Sequence, residues 1–140
     1  MARVEVYPDR VVIRLTASER TLALRRGEIV LDRDAITSAV ITDDPWVWLR
    51  GVRSPGIYVP GRLAFGTWRG GVGRDFALIR GGRPAVVLDL DVREEADGRA
   101  EGFDSFARVI LSTLHATDLV RALRLEEPGA STERVFSTED

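Results

Sequence analysis

Few residues in this chain could carry chemistry. His115 is its only histidine, and Ser105 and Ser112 are the serines nearest to it on the N-terminal side. A serine–histidine–acid relay would have to use them, yet no Gly-x-Ser-x-Gly turn presents a serine. The spacing reads His115 as a helix-start residue beside a dipole end. Asp89 and Asp91 flank Leu90, so in a strand they share one face. Paired carboxylates can bind metal or move protons. As a calcium loop the run fails, because its sixth position is Glu94 where a glycine is needed. A solvated strand face is the simpler reading. With one His and no Cys, a zinc site would rest on carboxylates alone. Gly71-Val72-Gly73 opens a G-x-G-x-x-G match, but the last position is Phe76 and a strand follows, so dinucleotide binding is rejected. Gly56–Gly61 and Gly66–Gly71 have phosphate-loop spacing, but Arg62 and Val72 follow them instead of lysine. Both read as turns. No metal or cofactor is expected.

The basic residues hold more promise. All 20 are arginine; lysine, Asn and Gln are absent. Schiff-base catalysis through a lysine amine is therefore excluded. Residues 45–84 carry seven arginines and a single acid, Asp75, for a net charge of +6, whereas residues 85–140 carry six arginines and 13 acids, for −7. Within the basic middle, Arg50, Arg53, Arg62, Arg69 and Arg74 are interleaved with Trp46, Trp48, Tyr58 and Trp68. Guanidinium forks suit phosphate and carboxylate, and aromatic rings stack on bases or sit at membrane interfaces. The five arginines and Trp68 are the candidate ligand site. The alternative is internal: the arginines pair with the acidic C-terminal segment, and the tryptophans are core.

The elements that must position these residues are short. Val4, Val6, Val11, Ile13 and Leu15 alternate around a Tyr7-Pro8-Asp9-Arg10 turn, so Arg3–Tyr7 and Arg10–Leu15 form a hairpin. Glu19–Arg26 reads as a helix with Ser18 as N-cap, Leu22 lining one side and Gly27 closing it. A strand at Thr21–Arg25 competes. Strands follow at Ile29–Leu31 and Ile36–Ile41, then a helical turn with Asp44 as N-cap and Pro45 at the first position. Residues 51–84 hold nine of 13 glycines, with turn signals at Ser54-Pro55-Gly56, Pro60-Gly61, Gly70-Gly71 and Gly81-Gly82. The apolar runs Leu63–Trp68, Phe76–Ile79 and Ala85–Leu90 read as a meander. Val92–Gly102 is charged and aperiodic, hence a mobile acidic loop. Phe106–Thr113 is a strand, and Ala116–Leu125 is an amphipathic helix with Leu119, Val120 and Leu123 on one stripe. Residues 126–140 read as a disordered tail, leaving 1–125 as one domain.

Short antiparallel strands, a glycine-rich middle and one closing helix resemble a bacterial pleckstrin-homology-like (PH-like) domain. The resemblance rests on Asp43-Asp44-Pro45, Arg50-Gly51-Val52-Arg53-Ser54-Pro55-Gly56, Pro60-Gly61, Phe65-Gly66-Thr67-Trp68-Arg69, Gly73-Arg74-Asp75-Phe76 and Arg83-Pro84-Ala85-Val86-Val87. These motifs are similar to those of small single-domain actinobacterial proteins. The resemblance implies a mainly β (α+β) fold: a bent antiparallel sheet or barrel of about seven or eight strands, capped by the C-terminal helix. His115-Ala116 stands where the family commonly opens that helix with an acidic residue and proline.

The expectation is a non-enzymatic binding or assembly module. Its partner would be a second copy (a homo-oligomer), a protein peptide, or an anionic surface such as a lipid headgroup; nucleic acid ranks below these. The longest uncharged stretch, Val109–Thr117, is too short to span a bilayer, which takes about 20 apolar residues. No apolar leader follows Met1, so a cytoplasmic location is expected.

Overall fold

The computed structural model describes residues 2–24, 27–71, 73–91, 103–125 and 134–137; for 54, 124, 125 and 134–137 only the backbone is described. The chain is mainly β. Ten strands are present among the described residues: β1 (Arg3–Val6), β2 (Arg10–Arg14), β3 (Ile29–Asp32), β4 (Ile36–Thr42), β5 (Val52–Val59), β6 (Leu63–Gly70), β7 (Gly73–Arg80), β8 (Ala85–Leu90), β9 (Arg108–Ser112) and β10 (Arg134–Ser137). Two helices, α1 (Ala17–Ala23) and α2 (Ala116–Leu125), and two 3₁₀ turns complete the fold.

The strands form two sheets, ordered β10-β1-β2-β3 and β4-β8-β9-β7-β6-β5. The expected hairpin is present, its turn closed by the Tyr7 N–H donating to the Arg10 carbonyl at 2.8 Å. The all-antiparallel expectation is corrected in one place: β7 and β9 run parallel. The cause is topological. β9 inserts between β7 and β8, which run in opposite directions, so it must be parallel to one of them.

The disordered tail is also corrected in part. Residues 134–137 form β10 and pair with β1 along its outer side. The Glu126-Glu127-Pro128-Gly129 run dominated the sequence reading and hid the short β-prone Val135-Phe136 behind it. The acidic stretch 92–102 and the remaining tail residues lie outside the described residues.

A principal core lies between the sheets. It takes Val4, Val6, Val11, Ile13, Ile29 and Leu31 from the first, and Phe65, Phe76, Leu78, Val86, Leu88, Val109 and Leu111 from the second. The closing helix behaves as its stripe requires: Leu119 is 1% exposed, and Leu123 packs against the same core. Arg33 holds the end of α2. Its Nη2 donates to the Ala122 and Leu123 carbonyls at 3.2 and 3.3 Å, and its Nη1 to the Tyr7 carbonyl at 2.9 Å. A cation at a helix C-terminus satisfies orphan carbonyls and suits the dipole.

Helix α1 starts earlier than expected. Thr16, not Ser18, is the N-cap, in a reciprocal capping box with Glu19. Leu24 closes it in the left-handed region at φ 53°, and Leu22 is exposed while Ala23 is buried. The far end of the expected helix, Arg25 and Arg26, lies outside the described residues. Asp44 likewise makes no side-chain cap to the 3₁₀ turn Pro45–Trp48.

The largest missed element is β5, because Ser54-Pro55-Gly56 is a bulge within a strand rather than a turn. Its pairing with β6 depends on two glycines. Gly56 and Gly66 stand opposite each other at φ +143° and +144°, and a Cβ on Gly66 would lie 2.3 Å from the Pro55 carbonyl oxygen. Gly66→Ala therefore adds a backbone collision to left-side strain, and its expected cost is about 3 kcal/mol. Gly61→Ala, with φ +76° but nothing within 4 Å of its Cβ, is expected to cost about 1 kcal/mol. Urea midpoints of the two variants separate collision from strain.

On the outer face of the first sheet, Glu5 is buried beneath Arg14 and Tyr7. Burial pushes its carboxyl up, but hydrogen bonds from Arg14 at 2.7 Å and Tyr7 at 2.9 Å, with the charges of Arg14 and Arg3, hold it below the usual range. A depressed carboxylate stabilises the fold above its unfolded value of about 4.3, and the gain is lost as pH falls through its folded value. Glu5→Gln is expected to flatten the decline in stability below about pH 4.3, read from denaturation midpoints across pH.

Candidate functional site

The second face of the six-stranded sheet carries its own core: Ala64, Trp68, Ala77, Ile79, Ala85, Val87 and Ile110. Trp46, Trp48 and Leu49, from and just after the Pro45–Trp48 turn, pack on it, as does Val40. Proline at the first position presets this turn.

At one end of this face a polar row crosses five strands. Asp89 on β8 stands opposite Arg108 on β9, and Arg108 is opposite Asp75 on β7. Asp75 is opposite Trp68 on β6, which is opposite Arg53 on β5. Asp75 is 2% exposed and must be paired. Arg50 does this from the segment before β5: Nε donates to Oδ2 at 2.7 Å and Nη2 to Oδ1 at 3.3 Å. The Asp75 hydrogen bond holds the Arg50 guanidinium above its usual range, against burial. Arg108 donates to Asp89 at 2.7 Å and to the Trp48 carbonyl at 3.2 Å, and its guanidinium lies 5.2 Å from the Trp48 ring centroid. The two pairs tie the 3₁₀ turn and the segment after it to the sheet.

Only some of the sequence-derived site residues come together. Trp68 is 5% exposed and belongs to the core; its ring meets Tyr58 edge-on at 6.3 Å, and Tyr58 meets Trp46 at 6.2 Å. Arg50 is held by Asp75, and the Arg74 guanidinium lies 5.0 Å from the Phe106 ring centroid. Arg53, Arg62 and Arg69 are exposed, with no ionic or ring partner among the described residues. They do not form one patch. Arg53 is on the Trp68 face, and Arg69 is on the opposite face beside Val52. Arg62 sits in the β5–β6 turn at the far end of β6, about 23 Å from Arg69 at strand rise. Two of the basic residues take acids from outside the acidic C-terminal segment, Arg50 with Asp75 and Arg80 with Glu19 at 3.4 Å, and most acids of that segment lie outside the described residues. Asp75 and Glu19 are acids that the register and the capping box have already buried, so an arginine must meet each.

The other candidates separate. Ser112 Oγ accepts from the Arg80 N–H at 2.9 Å, and Thr113 Oγ1 accepts from the His115 N–H at 3.0 Å. Asp89 is half-buried and pairs with Arg108 at 2.7 Å. Asp91 lies past the end of β8, with its N–H on the Ala35 carbonyl at 2.8 Å. It lines a cleft of about 260 Å³ with Asp32, Asp34 and Asp104. Among the described residues no group of His, Cys, Asp or Glu is arranged to hold a metal.

Sequence reasoning missed the edge position of β5. This strand pairs only with β6, its outer side has no strand partner among the described residues, and Val52, Tyr58 and Val59 are 72%, 41% and 37% exposed. Alternation around Pro55 was the available signal, masked by the turn chemistry of Pro-Gly. No family model, no curated protein and no solved structure matches the chain.

Asp75→Asn leaves the Arg50 guanidinium without its carboxylate. Because Arg50 is itself 36% exposed, the expected loss is about 2 kcal/mol, below that of a fully buried pair. Arg50→Met, which strands the buried carboxylate, is expected to cost at least as much. A double-mutant cycle on urea midpoints reads the coupling.

Proposed function

We propose that this chain is a PH-like, non-enzymatic binding or assembly module, with edge strand β5 as its docking element. The PH-like part is supported by a sheet-rich fold whose last helix buries Leu119 in the core. The binding part is carried by one observation: an eight-residue strand at a sheet edge, without a strand partner among the described residues and flanked by exposed arginines. An open edge offers main-chain donors and acceptors to another chain. The engagement of Ser112 with the Arg80 backbone and of Asp89 with Arg108 favours this over a hydrolase reading.

The runner-up is an anion-binding role on lipid headgroups or nucleic acid through the central arginines. Exposed Arg53 and Arg69 favour it; the engagement of Arg50 and the distance to Arg62 weigh against it. A cytoplasmic location belongs to the same proposal. No helix among the described residues is long and apolar enough to cross a membrane.

Hydrogen exchange tests the docking role. In the isolated chain, the β5 amides facing away from β6 are expected to exchange at least about tenfold faster than those of β7, as open edges do. Equal protection would mean that the edge is already occupied, and the docking role would fall. Native mass across concentration separates the two forms: a strictly monomeric chain leaves binding and removes assembly.

A further inference from the structure

We infer that the partner of β5 is an extended acidic segment of another protein, added to the sheet as a seventh strand. This rests on the reading of the chain as a binding module and names the chemistry of what it binds.

Charge makes the first case. Residues 45–84 contain one acid, Asp75, and it is buried under Arg50. Arg53, Arg62 and Arg69 therefore face solvent with no exposed carboxylate from their own segment. Geometry makes the second. Arg53 and Arg69 flank the start of β5 on opposite faces of the sheet, and Arg62 stands past its end. No flat anionic surface touches three cations so placed. A ribbon along the edge does, because successive side chains of an added strand alternate between faces. Its acids then meet Arg53 on one side, Arg69 on the other and Arg62 about 23 Å along, the rise of seven strand residues.

A second copy of this chain fits worse. Antiparallel pairing of two β5 strands about their centre brings two arginine-rich segments together. It also places both Pro55 residues at the middle of the ladder, where each withholds an N–H. A separate partner meets only one proline, and at the bulge where β5 already leaves register. Tyr58 and exposed Val52 and Val59 supply the apolar contacts that alternate side chains of the partner would cover.

The test uses the full 140-residue chain and a capped ten-residue peptide of alternating Glu and Val. Binding is followed by tryptophan fluorescence and by protection of the β5 amides. Expected are binding of the Glu–Val peptide and no binding of its Lys–Val counterpart. Arg53→Glu with Arg69→Glu should weaken binding at least about tenfold, whereas Arg121→Glu on α2, an equal charge change per site at an exposed position, leaves it within about twofold. N-methylation of alternate peptide amides should abolish binding, because strand addition needs the ladder. If the N-methylated peptide binds as well, the contact is electrostatic alone, and strand addition is overturned in favour of the anion-binding reading. If the Lys–Val peptide binds equally, acid selectivity is overturned while the binding module stands. If neither peptide binds and the mass rises with concentration, the partner is a second copy. Absence of both binding and self-association overturns the inference and the binding module together.

Discussion

A carboxylate inside a sheet has to be answered, and much of this molecule follows from how Asp75 is answered. It stands on β7 between Arg108 and Trp68, almost fully buried. Burying a charge without a partner costs far more than any surface contact returns. Arg50 is drawn in from the segment before β5, and Arg108, fixed by Asp89, holds the Trp48 carbonyl beside it. The segment that carries Trp46 and Trp48 is thereby set over the second core. The row also separates the arginines: Arg50 and Arg108 become structural, while Arg53, Arg62 and Arg69 are exposed, with no ionic partner among the described residues.

The insertion of β9 has a comparable reach. By entering between β7 and β8 it makes the six-stranded sheet continuous, with β4 and β5 at its limits. The β5–β6 hairpin is then an outer flap, joined to the body by β7 and by α1, which packs on β5 and β6. Its two glycines let the backbones approach more closely than a Cβ would permit, and the rings of Tyr58 and Trp68, each two residues further along its strand, meet edge-on. Pro55 and the bulge blunt the outer edge against indiscriminate pairing, a usual device in natural sheets. The edge that remains is short, basic and partly apolar, which suits a selective contact.

Elements whose burial follows a local period were legible. The β1–β2 hairpin and α2 follow from alternation and a helical stripe, and β8 from a short apolar run buried on both faces; their bounds fall within a residue or two of expectation. Two strands were not legible, for different reasons. β5 is interrupted by Ser-Pro-Gly, which has the chemistry of a turn until a second glycine on β6 makes room for a bulge. β10 is four residues long and gains its hydrogen bonds from β1, far away in sequence. Of the candidate site, the arginine excess and its aromatic company were visible, but not its division.

Residue types and local spacing by themselves determined the mainly β class, the closing helix, the absence of cysteine and lysine chemistry, and a net positive middle. Those properties depend on neighbours a few residues apart, whose interactions are the same in any fold. Register decided the rest: which acid meets which arginine, which strand is left at an edge, and on which face each cation stands. Sheet register joins residues tens of positions apart, and a shift of one residue turns every side chain to the other face. Seven arginines spread over residues 45–84 therefore carried no information about their division until the strands were laid side by side.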